Sequence, residues 1–339
     1  MAQRITRGSF AALGILLLIL DTRTALAGAR DGITLCINSV VPSIFPFLVL
    51  SGILTSTILG ANLKILYPLG RLVGIPNGME GIFLTGILAG YPVGAQSVHH
   101  AWEQKQLSTE TARRMLAFCS NAGPSFLFGI LSMQFSSPGS LWVLWGIHVL
   151  SAIMVGALLP GKSKKTKIIN QSAPVTLPQA LKKAVVTMGM ICGWIILFRV
   201  ILAFWDRWLL WRLPTPAQVT VHGILELANG CCNLSQISPQ GLRFVLASSM
   251  LSFGGICVLL QTVSVTDKLG IGQYLIGKLL QTALSLILSV IMQNFLFSPA
   301  DRLHISVIGM LFPVLFCIVI IAFYRKIEKK SSIPAMVGV

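Results

Sequence analysis

Apolar runs close to the length that crosses about 30 Å of hydrocarbon recur from one end of this sequence to the other. That recurrence leaves few folds open. In hydrocarbon every backbone polar group needs a partner within the protein, and runs of this length meet that need as helices. Composition agrees: 54% of the residues are hydrophobic and only 11% are charged, too few to cover a water-facing surface. The net charge of +16 does not indicate nucleic acid, because the basic residues sit in short loops between apolar runs. That is how topology determinants beside an anionic leaflet are distributed. The expected class is an all-α polytopic membrane protein in contact with the lipid bilayer.

Two of the apolar runs are interrupted by glycine, and the interruptions look alike. The first is Gly86-Ile-Leu-Ala-Gly-Tyr-Pro-Val-Gly94 and the second is Gly223-Ile-Leu-Glu-Leu-Ala-Asn-Gly230. Each is followed by a polar stretch and a further apolar helix. Broken hydrophobic segments at matching places in two halves are the sequence mark of a transporter-like site near the bilayer midplane.

About eight spans are expected, at 9–28, 44–60, 115–135, 140–160, 183–205, 243–264, 270–293 and 304–324, with re-entrant hairpins near 81–101 and 217–237. The basic segment 161–178 separates two halves. The resulting units are an N-terminal helix (1–28), a first repeat (29–160), the cytoplasmic linker (161–178), a second repeat (179–293) and a C-terminal helix with a basic tail (294–339). Ser108, with Glu110 in the first turn, reads as a helix N-cap. Arg4, Arg7 and Ala25-Leu26-Ala27 resemble a cleaved signal peptide, but the following segments are also membrane-embedded, so a retained first helix is expected.

Charge sets the orientation. With both hairpins returning to the side they left, Arg4, Arg7, Lys64, Arg71, Lys105, Arg113, Arg114, the lysines of 162–183, Lys268, Lys278 and the C-terminal cluster fall inside. Arg23, Arg30, Arg207, Arg212, Arg243 and Arg302 fall outside. Both termini are then cytoplasmic and the two halves run in opposite directions.

Several residues are candidates for contact with a solute. Gly90 and Gly94 permit unusual backbone geometry and close approach, and Pro92 removes a backbone donor. The groups freed around Tyr91, together with the Gln96 amide, suit a polar solute. Glu226 lies in an apolar setting where a carboxylate costs roughly 2.5–3.5 kcal/mol, so it is expected to face a cavity, with Asn229 and Gly230 forming a break beside it. Ser120 and Asn121 mark a second helix break, and Ser252 with Gly254 and Gly255 marks its counterpart. For each, the plainer reading is a packing kink or an interfacial side chain. Arg199, inside a span, reads as either snorkelling or paired with Asp206, and His148 and His222 as lone side chains. The seven cysteines form no CxxC pair and have no histidine at metal spacing, so buried inert thiols are expected. No catalytic motif is present, and no enzyme activity or metal is expected.

Four segments carry a resemblance: Phe45-Pro-Phe47, Gly90-Tyr-Pro-Val-Gly-Ala95, Phe118-Cys-Ser-Asn-Ala-Gly-Pro124 and Ile224-Leu-Glu-Leu-Ala-Asn-Gly230. Together they resemble the YlbJ-like family of sporulation integral membrane proteins, whose nucleoside-recognition Gate domain is similar to the core of concentrative nucleoside transporters. The resemblance implies a bacterial cell-membrane protein of a spore former, with two inverted Gate repeats. It also implies candidate-site status for Gly90, Tyr91, Pro92, Gly94, Asn121, Glu226 and Asn229. The expected activity is secondary transport of a small polar solute such as a nucleoside, with a proton or sodium as coupling ion and Glu226 as the residue it engages. The alternative is a non-transporting scaffold needed for spore envelope (cortex) formation. Homo-oligomers are compatible with either.

Overall fold

A computed structural model of the chain describes residues 2–60, 63–135, 137–159, 161, 175–266, 269–305 and 307–331. Lys162, Lys164, Lys165, Lys167 and Lys268 lie outside the described residues, as do the side chains of Arg325, Lys326, Lys329 and Lys330. Among the described residues the chain is helical and contains no strand. Six helical runs are long and apolar enough to cross a membrane: Thr22–Leu59, Thr109–Gln134, Pro138–Leu158, Leu177–Trp208, Gln240–Thr266 and Gly272–Leu296. Two shorter apolar helices, Ala11–Leu20 and Gly309–Tyr324, correspond to the first and last expected spans.

The first departure from expectation lies near the N-terminus. Helix α1 (Ala2–Leu20) ends at Asp21, which caps α2 (Thr22–Leu35) by accepting from the Thr24 amide at 3.3 Å. The helical path then continues through a π turn (Cys36–Val40) into α3 (Val41–Gly60). Residues 29–43, which the expected spans leave as a connection between 28 and 44, are thus part of one helical run, and the expected boundary at 28/29 falls inside α2. The π turn lies where Pro42 has no N–H to return to the Asn38 carbonyl, and one wide turn absorbs that defect without ending the helix. Gly28 and Gly32 bring α2 against the backbone of α10 (Leu177–Trp208), where a β-carbon on Gly32 would lie 2.9 Å from the Ile196 α-carbon.

The rest of the chain has two similar successions of elements. Short α4 (Tyr67–Val73) precedes a bent pair, α5 (Glu80–Leu88) and α6 (Val93–Glu103). A broken helix follows, α7 (Thr109–Cys119) and α8 (Pro124–Ile130), and then the unbroken α9 (Pro138–Leu158). After α10 comes a second bent pair, α11 (Thr215–Leu225) and α12 (Leu227–Cys232). A second broken helix, α13 (Gln240–Phe253) and α14 (Gly255–Thr266), leads to the unbroken α15 (Gly272–Leu296) and finally α16 (Val307–Ser331). The two halves exchange contacts: α6 packs on α14, α12 on α8, and α15 on both α7 and α9.

Glycine makes the bent pairs close. A β-carbon on Gly86 would sit 1.8 Å from the Cys119 carbonyl oxygen, and one on Gly94 would sit 2.1 Å from the same oxygen. In the second pair a β-carbon on Gly230 would lie 2.3 Å from the α-carbon of Gly223. The glycines that bound the two matching sequence segments are therefore the points where backbone meets backbone, as small residues allow between membrane helices.

Candidate functional site

Four helix breaks converge at the centre of the molecule. In the first bent pair the chain turns at Ala89–Pro92, with Gly90 at φ +77° in left-handed backbone. Gly90 meets the α7–α8 break, where a β-carbon would come within 2.7 Å of the Gly123 nitrogen. In the second pair the turn is Glu226 itself, in extended backbone. It meets the α13–α14 break, where Gly254 and Gly255 both have φ +82° and a β-carbon on Gly255 would lie 3.0 Å from the Gly223 carbonyl.

A cavity of about 50 Å³ lies between the two turns. Gly90, Tyr91, Gly123 and Ser125 border it from the first half, and Glu226, Ala228 and Gln261 from the second, with an apolar wall from α3 and α10. A smaller hollow of about 10 Å³ is lined by Pro92 and Gln96 and shares Ile191 and Gln261 with the first. Of the candidates, Gly90, Tyr91 and Glu226 thus face the main cavity, and Pro92 and Gln96 the hollow beside it. Gly94 and Gly230 do neither, because they lie at the backbone crossings of their arms.

Glu226 is buried, and its carboxylate is held in place. It accepts from the Ala228 amide at 3.0 Å, the Asn229 amide at 2.7 Å and the Asn229 side-chain Nδ2 at 2.7 Å. It therefore caps α12 at the point where the turn leaves donors without intrahelical partners. Asn229 supports the carboxylate and does not border the cavity itself.

Ser120, Asn121 and Ser252 belong to a buried polar cluster behind Tyr91. Its centre is Lys278 on α15, whose amine donates to the Ser120 carbonyl, to Gln281 Oε1 at 2.6 Å and to Asn121 Oδ1 at 3.4 Å. Gln281 Nε2 donates to Asn121 Oδ1 at 3.1 Å and to the His148 carbonyl at 3.2 Å. His148 Nε2 accepts from the Ala122 amide at 3.0 Å, and its Nδ1 lies 3.4 Å from Ser252 Oγ. Tyr91 joins cluster and cavity. Its ring lies 5.4 Å from the Lys278 amine, and its hydroxyl donates to the Leu251 carbonyl at 3.2 Å in the last turn of α13.

This cluster corrects the charge assignment. Lys278 is no inside-loop lysine but a fully buried side chain within α15. His148 and His222, expected to be lone, both have partners. His222 Nε2 bonds Asp206 at 2.7 Å, and Asp206 and Asp31 each pair with Arg199 at 3.1 Å. Lys278, Gln281, His148 and Gln261 belong to this candidate site by position and are not among the candidates expected from sequence. A signal for the first two exists: Lys278, Gln281, Ser285, Ser289 and Gln293 form one helical stripe, and all are buried.

Among the described residues no group of three or more His, Cys, Asp or Glu side chains is placed to hold a metal ion. No protein-family model matches the chain, and no solved structure matches it. The chain is similar to the sporulation integral membrane protein YlbJ of Bacillus subtilis (strain 168). The two are 23% identical, with 76% of this chain and 75% of that protein covered. With its apolar helices, the chain is a multi-pass integral membrane protein that resembles this sporulation protein.

Proposed function

We propose that this protein is a secondary carrier of a small polar solute, with a nucleoside as the leading class, acting in the membrane of a sporulating bacterium. The observation that supports it most is the convergence of four helix breaks on one polar-edged cavity between two bent arms. Breaks of this kind are tolerated at membrane depth where protein or a wet cavity satisfies the backbone. The arms are taken as re-entrant hairpins from opposite faces, and the two halves as inverted repeats of a Gate-like core. Similarity to a protein named for sporulation supports the biological setting. A proton or a sodium ion is the natural coupling ion.

At about 50 Å³ the cavity has room for a few water molecules. A nucleoside is larger, so this arrangement is the closed state and admission requires one bent arm to move. Beside Glu226, whose carboxylate already accepts from three cap donors, Tyr91, Ser125 and Gln261 are the polar side chains that border the cavity.

The test is thermal denaturation of purified protein in detergent against nucleosides, amino acids and related polar metabolites, with Gln261→Ala alongside. One ligand class is expected to raise the midpoint of the wild type, with the rise at least tenfold less sensitive to ligand in the variant. If no ligand shifts the wild type, the carrier reading fails, and the envelope scaffold becomes the reading to pursue.

A further inference from the structure

Lys278 is a buried amine, and among the described residues no carboxylate pairs with it. An unpaired charge is expensive to bury in a protein, and more so in a membrane. What surrounds this amine is a set of oxygens. The Ser120 carbonyl lies just past the last residue of α7, in extended backbone beside the electronegative terminus of a half-helix. Asn121 Oδ1 and Gln281 Oε1 complete the set.

The two amides are not free to turn. Asn121 Nδ2 donates to the Phe118 carbonyl at 2.8 Å, and Gln281 Nε2 donates to Asn121 and to the His148 carbonyl. Each amide therefore presents its oxygen, not its nitrogen, to the amine. Three acceptor oxygens match the three N–H donors of an ammonium, whereas a neutral amine would turn its lone pair towards an acceptor. The faces of Tyr91 and Tyr274, 5.4 and 5.8 Å away, add electron-rich surface.

Oriented oxygens at the end of an interrupted membrane helix are the usual ligands of a small monovalent cation in a carrier core. We propose that Lys278 is a tethered occupant of such a site: its ammonium sits in an oxygen cage built for a monovalent cation, so the core takes no sodium and, of the two coupling ions named above, the proton remains. The consequence for coupling rests on the carrier reading above; the occupancy of the cage does not. The tyrosine whose ring contacts the ammonium also borders the solute cavity, so the tethered charge sits one side chain from the solute.

The experiment is thermal denaturation of the full-length protein in detergent at constant ionic strength, with choline chloride replaced stepwise by sodium, ammonium or methylammonium chloride. The wild-type midpoint is expected to be the same in sodium and choline. Lys278→Ala is expected to melt lower in choline and to recover saturably with one of the small cations, as ligand binding to the folded state requires. Adding Asn121→Ala should remove that recovery. Saturable stabilisation of the wild type by sodium overturns the proposal. So does a folded Lys278→Ala, together with a folded Lys278→Met that keeps the stem volume, if neither responds to any cation. If neither variant accumulates in choline, purification in methylammonium chloride decides: folded protein only in that salt supports the cage, and none in either salt overturns it. Uptake into wild-type vesicles is expected to proceed unchanged when choline replaces sodium. A failure of every solute to move, with the stability result standing, sinks the carrier reading alone.

Discussion

Removing Glu226 and neutralising it are different experiments, because its carboxylate serves three donors. Glu226→Ala leaves the Ala228 and Asn229 amides buried without an acceptor and strips α12 of its cap. The expected loss is about 2 kcal/mol or more. Glu226→Gln keeps one acceptor oxygen and is expected to lose about 1 kcal/mol. Thermal midpoints of the two variants check this, and equal small shifts would show that the carboxylate is not the cap. A carboxylate in an apolar run was conspicuous in the sequence because of its cost. Its role as a cap was not legible there, since the turn that creates the unpaired donors is a property of the folded arm. Lys278 was illegible for the opposite reason. A lysine near the start of a span looks like a charge that snorkels to the interface, and only the stripe continued by Gln281 and Ser285 distinguishes it. His148 had no local mark at all: its partners, the Ala122 amide and Ser252, come from the α7–α8 break and from α13.

At the scale of elements, the two halves break their helices by different chemistry. The first bent pair turns through left-handed Gly90, while its broken helix parts in extended backbone at Ser120. The second bent pair turns in extended backbone at Glu226, while its broken helix parts at left-handed Gly254 and Gly255. Corresponding positions therefore want different residues, and the sequence likeness between the halves is faint although the order of elements is alike. What both halves keep is the glycine crossing within each bent pair, and those glycines were visible as a pattern. Gly86→Ala would drive a methyl group into the Cys119 carbonyl, an atom fixed where α5, α6 and the α7 terminus meet. Overpacking typically costs about 1–3 kcal/mol, and a backbone obstacle has little room to yield. Gly86→Ala is expected to lose the monodisperse peak in size-exclusion chromatography. Gly189→Ala, on an α10 face with no atom within 4 Å of the new methyl group, is expected to keep it. Equal profiles for the two variants would mean that the crossing tolerates separation of the arms.

At the scale of the whole molecule, the contacts of helix ends sort the termini into two sets. Arg114 donates to the carbonyls of Val73, Gly74 and Leu159, and Arg113 donates to the Leu269 carbonyl. The ends of α4 and α9 and the starts of α7 and α15 therefore share one end of the bundle. Trp102 at the end of α6 bonds Thr109 at 3.0 Å, and Glu80 at the start of α5 lies against Gly70, so the first bent pair leaves from and returns to that same end. Arg243 bonds the carbonyls of Gln134, Ser235 and Ile237, and Gln293 bonds Leu303, which gathers the end of α12 and the start of α13 at the opposite end. This grouping owes nothing to charge counting, yet it separates Lys64, Arg71 and Lys105 from Arg243 and Arg302 as the positive-inside rule does. Arg113 and Arg114 have become capping groups, so their weight as free topology charges falls, and the expectation that the first end faces the cytoplasm rests on the remaining basic residues. Gln104 at the first end and Gln236 at the second are both exposed. Gln236→Cys is expected to react with a membrane-impermeant maleimide in intact cells, and Gln104→Cys only after permeabilisation. The native cysteines, none of them fully exposed, set a low background. The reverse result would keep the bundle and invert its orientation. Labelling of both from one side would separate the end grouping from the membrane faces, and the opposed hairpins of the carrier reading would fall with it.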